Sequence, residues 1–167
     1  LTDTVSGDLT IRRLRAADIA GCEAVLSSIP EWFGIEEANS AYIRDLETLP
    51  SYVATEGGRI VGFLSARNHF AEAGEIHIIA VERSRHRRGI GKSLLEAAEA
   101  DMRAAGCRLL QVKTLGPSDD DEGYRRTREF YIAQGFILLE ETDAFWGPEN
   151  PALIMVKALV DHGADQA

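Results

Sequence analysis

The chain has 167 residues, 45% of them hydrophobic, which is enough for one domain with a sizeable core. Its formal net charge of −9 disfavours nonspecific binding to nucleic acid or to an anionic membrane surface, and no apolar run approaches the length of a membrane span. Two cysteines, Cys22 and Cys107, are too few for a disulfide framework; each reads as a reduced, buried thiol, so the expected location is cytoplasmic.

In chain order, residues 1–8 read as a polar N-terminal lead-in, residues 9–160 as one domain and residues 161–167 as a C-terminal tail. Leu9–Leu14 is a predicted strand and Asp18–Ser28 a helix stopped by Pro30. Ile35–Leu49 is a second helix, ended by Pro50. Ser51–Glu56 and Arg59–Arg67 are strands joined by Gly57-Gly58, a hairpin signal. Glu75–Val81 is the next strand. Ile90–Ala105 is a long helix with Ile90, Leu94, Ala97, Ala98, Met102 and Ala105 on one stripe, closed by Gly106. Arg108–Leu115 is a strand, Asp121–Gln134 a helix, and Phe136–Glu141 and Leu153–Leu159 the last strands. This alternation predicts an α/β fold, with a mixed central sheet of about six or seven strands and helices on both faces.

The most informative segment lies between the strand ending at Val81 and the helix starting at Ile90. Five Lys or Arg residues and one His crowd positions 83–92 of an acidic chain. Positive charge at a helix N-terminus is unfavourable unless an anion sits there. A strand running through a glycine-bearing turn into a helix presents unpaired backbone N–H groups, a site for phosphates. Gly89 and Gly91 lack a Cβ, so a diphosphate could approach the backbone closely. The P-loop pattern fails because its first glycine falls on His86, and the dinucleotide pattern fails because Leu94 takes the third glycine position.

What remains, His86-Arg87-Arg88-Gly89-Ile90-Gly91, resembles the acyl-CoA signature [Q/R]-x-x-G-x-[G/A] of the GNAT-type N-acetyltransferase superfamily, with His86 departing at the first position. A second segment, Phe130-Tyr131-Ile132-Ala133-Gln134-Gly135-Phe136, resembles the family's later F-Y-x-x-x-G-F signature. Read physically, it is a helix capped by Gly135 and followed by a strand. The resemblance implies a GNAT-like sheet whose strands four and five splay apart, with acetyl-CoA as cosubstrate. It implies cofactor contacts from the backbone around Ile79 and Val81 and from His86, Arg87, Arg88, Gly89, Gly91 and Lys92. It also makes Tyr131 the acid that protonates the leaving thiolate; the alternative is a core aromatic of an amphipathic helix. An asparagine that the family often carries about seven residues before this tyrosine is Tyr124 here.

Acetyl transfer to an amine requires loss of an amine proton, a stabilised oxyanion and a protonated thiolate. Glu75 is the first candidate for the base, since strand alternation puts it on one face with His77, Ile79 and Val81, and the family often places a carboxylate there. A solvated strand-end acid is the alternative. His77 could serve instead, or be a satisfied core histidine. Trp32 and Phe33, between the first two helices, and Phe145 and Trp146, between the last two strands, could frame an amine with aromatic faces. They could equally cap the core or fill a dimer interface. Asp119-Asp120-Asp121-Glu122 reads as a solvated helix start, with a role in binding the acceptor as the alternative.

The expected function is therefore an acyltransferase, an N-acetyltransferase moving acetyl from acetyl-CoA to a primary amine by direct attack in a ternary complex. A non-catalytic acyl-CoA-binding or regulatory module on the same fold is the alternative. No metal, nucleic acid or membrane partner is expected; a homodimer is common in the family.

Overall fold

A computed structural model describes residues 8–159. The expected lead-in (apart from Asp8) and C-terminal tail lie outside the described residues. Seven strands and four helices follow one another as β1 (Leu9–Arg13), α1 (Ile19–Ser27), α2 (Glu36–Asp45), β2 (Ser51–Glu56), β3 (Arg59–Phe70), β4 (Ala73–Val81), α3 (Ile90–Ala104), β5 (Leu109–Leu115), α4 (Glu122–Ala133), β6 (Ile137–Thr142) and β7 (Ala152–Ala158). The strands form one mixed sheet in the order β1-β2-β3-β4-β5-β7-β6, with the helices around it. The expected α/β architecture is thus present, with seven strands. The described residues divide into two compact units, residues 8–66 with Ile78–Ala98, and Arg67–His77 with residues 99–159.

In the first unit, β1 pairs antiparallel with β2, and β2 with β3. Gly57 and Gly58 have φ of +58° and +81°, the left-handed pair that a two-residue hairpin turn demands. Helix α1 places Cys22, Val25 and Leu26 on one stripe, continued by Ile29 just beyond its end. They pack with Val53, Ile60, Phe63, Ile78 and Ala80 into one buried cluster. Helix α2 is shorter than the expected 35–49 span. Its last residues tighten into i→i−3 bonds, Glu47 N–H to the Arg44 carbonyl and Thr48 N–H to the Asp45 carbonyl, before Pro50 forces an extended backbone.

In the second unit, β4 and β5 run parallel, in register from Ala73 opposite Leu109 to Ile76 opposite Val112. This ladder spans the first half of β4 and a little more than half of β5: β4 continues to Val81 and β5 to Leu115. β7 pairs antiparallel with both β5 and β6, and β6 carries a bulge between Leu138 and Glu140. Helix α4 opens on Asp121, whose carboxylate accepts the Tyr124 N–H at 3.0 Å, and stops at Gly135 with φ +91°. Arg128, buried on α4, donates to the carbonyl of Leu115 at 2.9 Å and fixes the helix to the end of β5. The acidic run before α4 is thus a helix cap.

Two boundaries differ from the sequence expectation in an informative way. β3 and β4 run to Phe70 and from Ala73, so residues left unassigned at 68–74 are mostly strand, with a turn at Ala71 and Glu72. Asn68, His69 and Gly74 have weak β-propensity, and the hairpin pairing overrides it. Ala105, expected on the apolar stripe of the helix, lies just past the end of α3 and is exposed, whereas Leu95 and Glu99 of α3 are buried. Burial of Glu99 is tolerated because the Lys157 ammonium lies 2.7 Å from its carboxylate.

Candidate active site

The first unit holds the glycine turn. β4 ends at Val81, a single 3-10 turn covers Arg83–Arg85, and α3 begins at Ile90. Arg87 has φ +61° and Gly89 φ +76°. Two left-handed residues this close together curl the backbone around a concavity, as in anion-binding nests. The N–H groups of the first helical turn, Ile90, Gly91 and Lys92, have no acceptor within the helix. A Cβ built on Gly89 would meet no atom within 4 Å, so the backbone there is open to a ligand. Gly62 of β3 brings the strand close, since its Cβ would lie 3.1 Å from the Ala80 carbonyl oxygen and 3.4 Å from Ile90 Cγ2.

The cations around this turn are largely held in place by carboxylates. Arg85 Nε lies 2.6 Å from Glu56, and an Arg88 guanidinium nitrogen lies 3.3 Å from the other oxygen of the same carboxylate. Arg59 donates to Glu82 at 2.6 and 2.9 Å, and the bonded guanidinium holds the Glu82 carboxyl below its ordinary range. Arg83 pairs with Glu31. Arg87 and Lys92 are exposed. His86, the departure from the signature, turns back: its Nε2 donates to the Val81 carbonyl at 2.7 Å, bracing the turn from within. Ile79 and Val81 are half-buried and alternate with buried Ile78 and Ala80, as the strand pattern requires. Trp32 reaches this region, its ring edge-on to His86 at 5.7 Å and 5.9 Å from the Arg83 guanidinium carbon. Phe33 instead packs against Tyr42 and the core.

The second unit holds a polar cluster centred on Glu75. Glu75 is buried, and its carboxylate makes three contacts: Lys113 Nζ at 2.9 Å, Gln111 Nε2 at 3.3 Å and His69 Nε2 at 2.5 Å. Burial alone would raise the Glu75 carboxyl, but the hydrogen bonds from Lys113 and His69, the Lys113 charge and the Gln111 bond together take it below its ordinary range. Glu75 is therefore an ionised carboxylate with both oxygens engaged. The Lys113 ammonium also lies 5.0 Å from the Phe145 ring centre. Trp146 is about half exposed.

His69, Gln111 and Lys113 were absent from the sequence-based candidates. Period-2 alternation from Leu110 and Val112 would have put Gln111 and Lys113 on the polar face of β5. His69 carried no such signal, because its strand was expected to end at Arg67. Tyr131, also in this unit, is buried between Phe130 at 5.2 Å and Phe136 at 5.3 Å, and burial pushes its phenol up, so it keeps its proton at neutral pH. Burial likewise pushes the Cys22 thiol up to about 12, and Cys107 is a buried thiol donating to the Leu109 carbonyl at 3.3 Å. Neither is equipped as a nucleophile. Among the described residues no group of three or more His, Cys, Asp or Glu side chains is placed to hold a metal ion.

A parallel β-α-β crossover with a glycine turn at the start of its helix is an arrangement at which open α/β sheets hold phosphate-bearing ligands. The chain belongs to the Acetyltransferase (GNAT) family, whose model matches residues 22–136. No curated protein matches the chain. Solved structures do. A GNAT-family acetyltransferase from Desulfovibrio desulfuricans shares 23% identity over 92% of this chain and 100% of its own, with a TM-score of 0.80. An aminoglycoside 6'-N-acetyltransferase complexed with coenzyme A shares 17% over 91% of this chain and 98% of its own, at 0.74. An acetyltransferase from Salmonella typhimurium, solved with acetyl-CoA, shares 17% over 96% and 99%, at 0.72. Acetyl-CoA is the family's cosubstrate. The open backbone at Gly89, the free N–H groups of the first α3 turn and the exposed cations Arg87 and Lys92 fit its diphosphate.

Proposed function

We propose that the protein is an N-acetyltransferase that moves the acetyl group of acetyl-CoA to a primary amine by direct attack in a ternary complex. Acetyl-CoA supplies the activated acyl group as a thioester. The residues Arg87, Arg88, Gly89, Gly91 and Lys92, braced by His86, hold its phosphates, and the backbone at Ile79 and Val81 holds its pantetheine arm. The Glu75 cluster removes the amine proton, and the Tyr131 hydroxyl, kept protonated by burial, returns a proton to the leaving sulfur. Trp32, Phe33 and Trp146 contribute to the acceptor side. Direct attack is supported by the state of the two cysteines: both are buried, burial and the nearby Asp18 and Glu23 charges push the Cys22 thiol up, and the Cys107 thiol donates to the Leu109 carbonyl. The same two free thiols support a cytoplasmic location, and no helix among the described residues is long and apolar enough to cross a membrane.

The observation that carries an enzyme over a passive binding module is the Glu75 cluster. A buried carboxylate surrounded by an ammonium, an imidazole and an amide is costly to desolvate, and holding an acyl-CoA requires none of it. The test is thiol release from acetyl-CoA in the presence of kanamycin, spermidine or a short peptide with a free N-terminal alanine. The expected result is amine-dependent release with at least one of the three, lowered on the order of 100-fold in Tyr131→Phe. Release that is independent of amine, or unchanged in Tyr131→Phe, would contradict the assignment.

A further inference from the structure

Glu75 is poorly placed to take a proton itself. Its side chain is 8% exposed, and both carboxylate oxygens already accept hydrogen bonds, Oε1 from Lys113 and Oε2 from His69 and Gln111. The most exposed side chain of this cluster is His69, at the end of β3, at 38% against 21% for Lys113. Its Nε2 faces the Glu75 carboxylate at 2.5 Å. A carboxylate accepts only, so the nitrogen facing it must carry a proton. In a neutral imidazole this leaves the other nitrogen, Nδ1, with a free lone pair. One ring nitrogen is thus fixed by a buried carboxylate while the other is free to accept, which is the arrangement of a carboxylate-oriented histidine base.

We propose that His69 Nδ1 is the atom that accepts the proton of the acceptor amine, and that Glu75 is a positioning residue acting through it. This deepens the N-acetyltransferase reading and rests on it. In the step, one N–H bond of the ammonium breaks, its electron pair stays on the amine nitrogen, and an Nδ1–H bond forms. The imidazolium that results is stabilised by the Glu75 carboxylate. The charged and titratable groups around the dyad are Glu75 on β4 and Lys113 on β5, with His77 one alternation further along the same face of β4. Lys113 limits how negative the cluster becomes, because its ammonium occupies the second oxygen of Glu75. The amine's proton is therefore drawn to the imidazole and not to the carboxylate.

Two readouts test this. The first needs no turnover: the ring nitrogens of the intact chain are observed by 15N-detected imidazole correlation spectra at pH 8. The His69 signals are identified as those missing from His69→Gln. Proton on Nε2 and bare Nδ1 is the expected tautomer; proton on Nδ1 would overturn the proposal. The second is the pH profile of kcat/KM with acetyl-CoA and whichever of kanamycin, spermidine or the alanine peptide is acetylated. His69→Gln should lower kcat/KM on the order of 100-fold and abolish the acid limb of the profile, with acetyl-CoA affinity unchanged as the check on folding. Glu75→Gln should lower the rate but keep the acid limb, since the imidazole remains. An acid limb that persists in His69→Gln and vanishes in Glu75→Gln would overturn the assignment in favour of the carboxylate. A wild-type chain that acetylates none of the three amines would instead overturn the reading on which the assignment rests.

Discussion

Asp18 shows how a single buried carboxylate is made tolerable in this chain. Its two oxygens accept from the Arg12 guanidinium at 2.7 and 2.9 Å, and Oδ2 also accepts the Arg15 N–H at 2.7 Å. The Arg12 bond, opposed by burial and helped by the Arg15 N–H, takes the Asp18 carboxyl below its ordinary range. The sign of the linkage follows. A carboxyl whose folded pKa is depressed contributes stability that is fully present above its unfolded pKa, near 4, and is lost as pH falls through the folded value. Asp18→Asn should therefore cost about 1–3 kcal/mol at pH 7 and progressively less below pH 4. Urea unfolding of both proteins at pH 7 and pH 3 checks this; a difference that stays constant with pH would contradict it. At this scale the sequence was partly legible. Gly57, Gly58, Gly106 and Gly135 sit at positive φ where turns and helix ends were expected. The Arg12–Asp18 pair was not legible, because it joins a strand to a 3-10 turn and no local pattern marks it.

Helix α1 and strand β3 meet through a glycine that helix propensity alone would not choose. A Cβ on Gly21 would fall 2.6 Å from Ile60 Cγ1 and 2.9 Å from Ile60 Cβ. Replacing Gly by Ala in a helix interior ordinarily stabilises by about 1 kcal/mol. Here Ile60 is itself buried, so the overlap must be relieved by moving a packed side chain, at a cost of about 1–3 kcal/mol. Gly21→Ala should thus lower the urea midpoint, and a raised midpoint would show that Ile60 yields freely. Helices α1 and α3 and strand β2 were readable from the sequence to within a residue or two at their ends. The far end of β3 was not. Asn68 and His69 gain their strand conformation from hairpin pairing with β4, and that non-local cause hid His69 from sequence-based reasoning. Edge strand β6 was legible as a strand, but not the bulge between Leu138 and Glu140 that breaks its alternation.

At the scale of the molecule, a chain of net charge −9 concentrates cations at one turn and then neutralises many of them with Glu31, Glu56 and Glu82. That pattern organises the turn instead of leaving an indiscriminate basic patch. What remains for an anion is the backbone itself: the left-handed Arg87 and Gly89, the first N–H groups of α3 and the exposed side chains of Arg87 and Lys92. The family signature was legible here because backbone geometry requires glycine at a fixed place. The acceptor side was less so, because an amine pocket is assembled from loop and strand residues whose types are not dictated by local conformation. Trp32 lies against the His86 turn and Phe145 against Lys113, placements that no spacing in the sequence encodes.

The most direct measurement is calorimetric titration of acetyl-CoA into the wild-type chain and into Gly89→Val, with thermal melts of both. A valine at φ +76° strains the turn and sets a branched side chain over the open backbone. The account predicts one site per chain in the wild type and a loss of affinity on the order of 100-fold or more in the variant, with most of the melting temperature retained. Equal affinity in the two proteins would contradict it and place the cosubstrate's phosphates elsewhere.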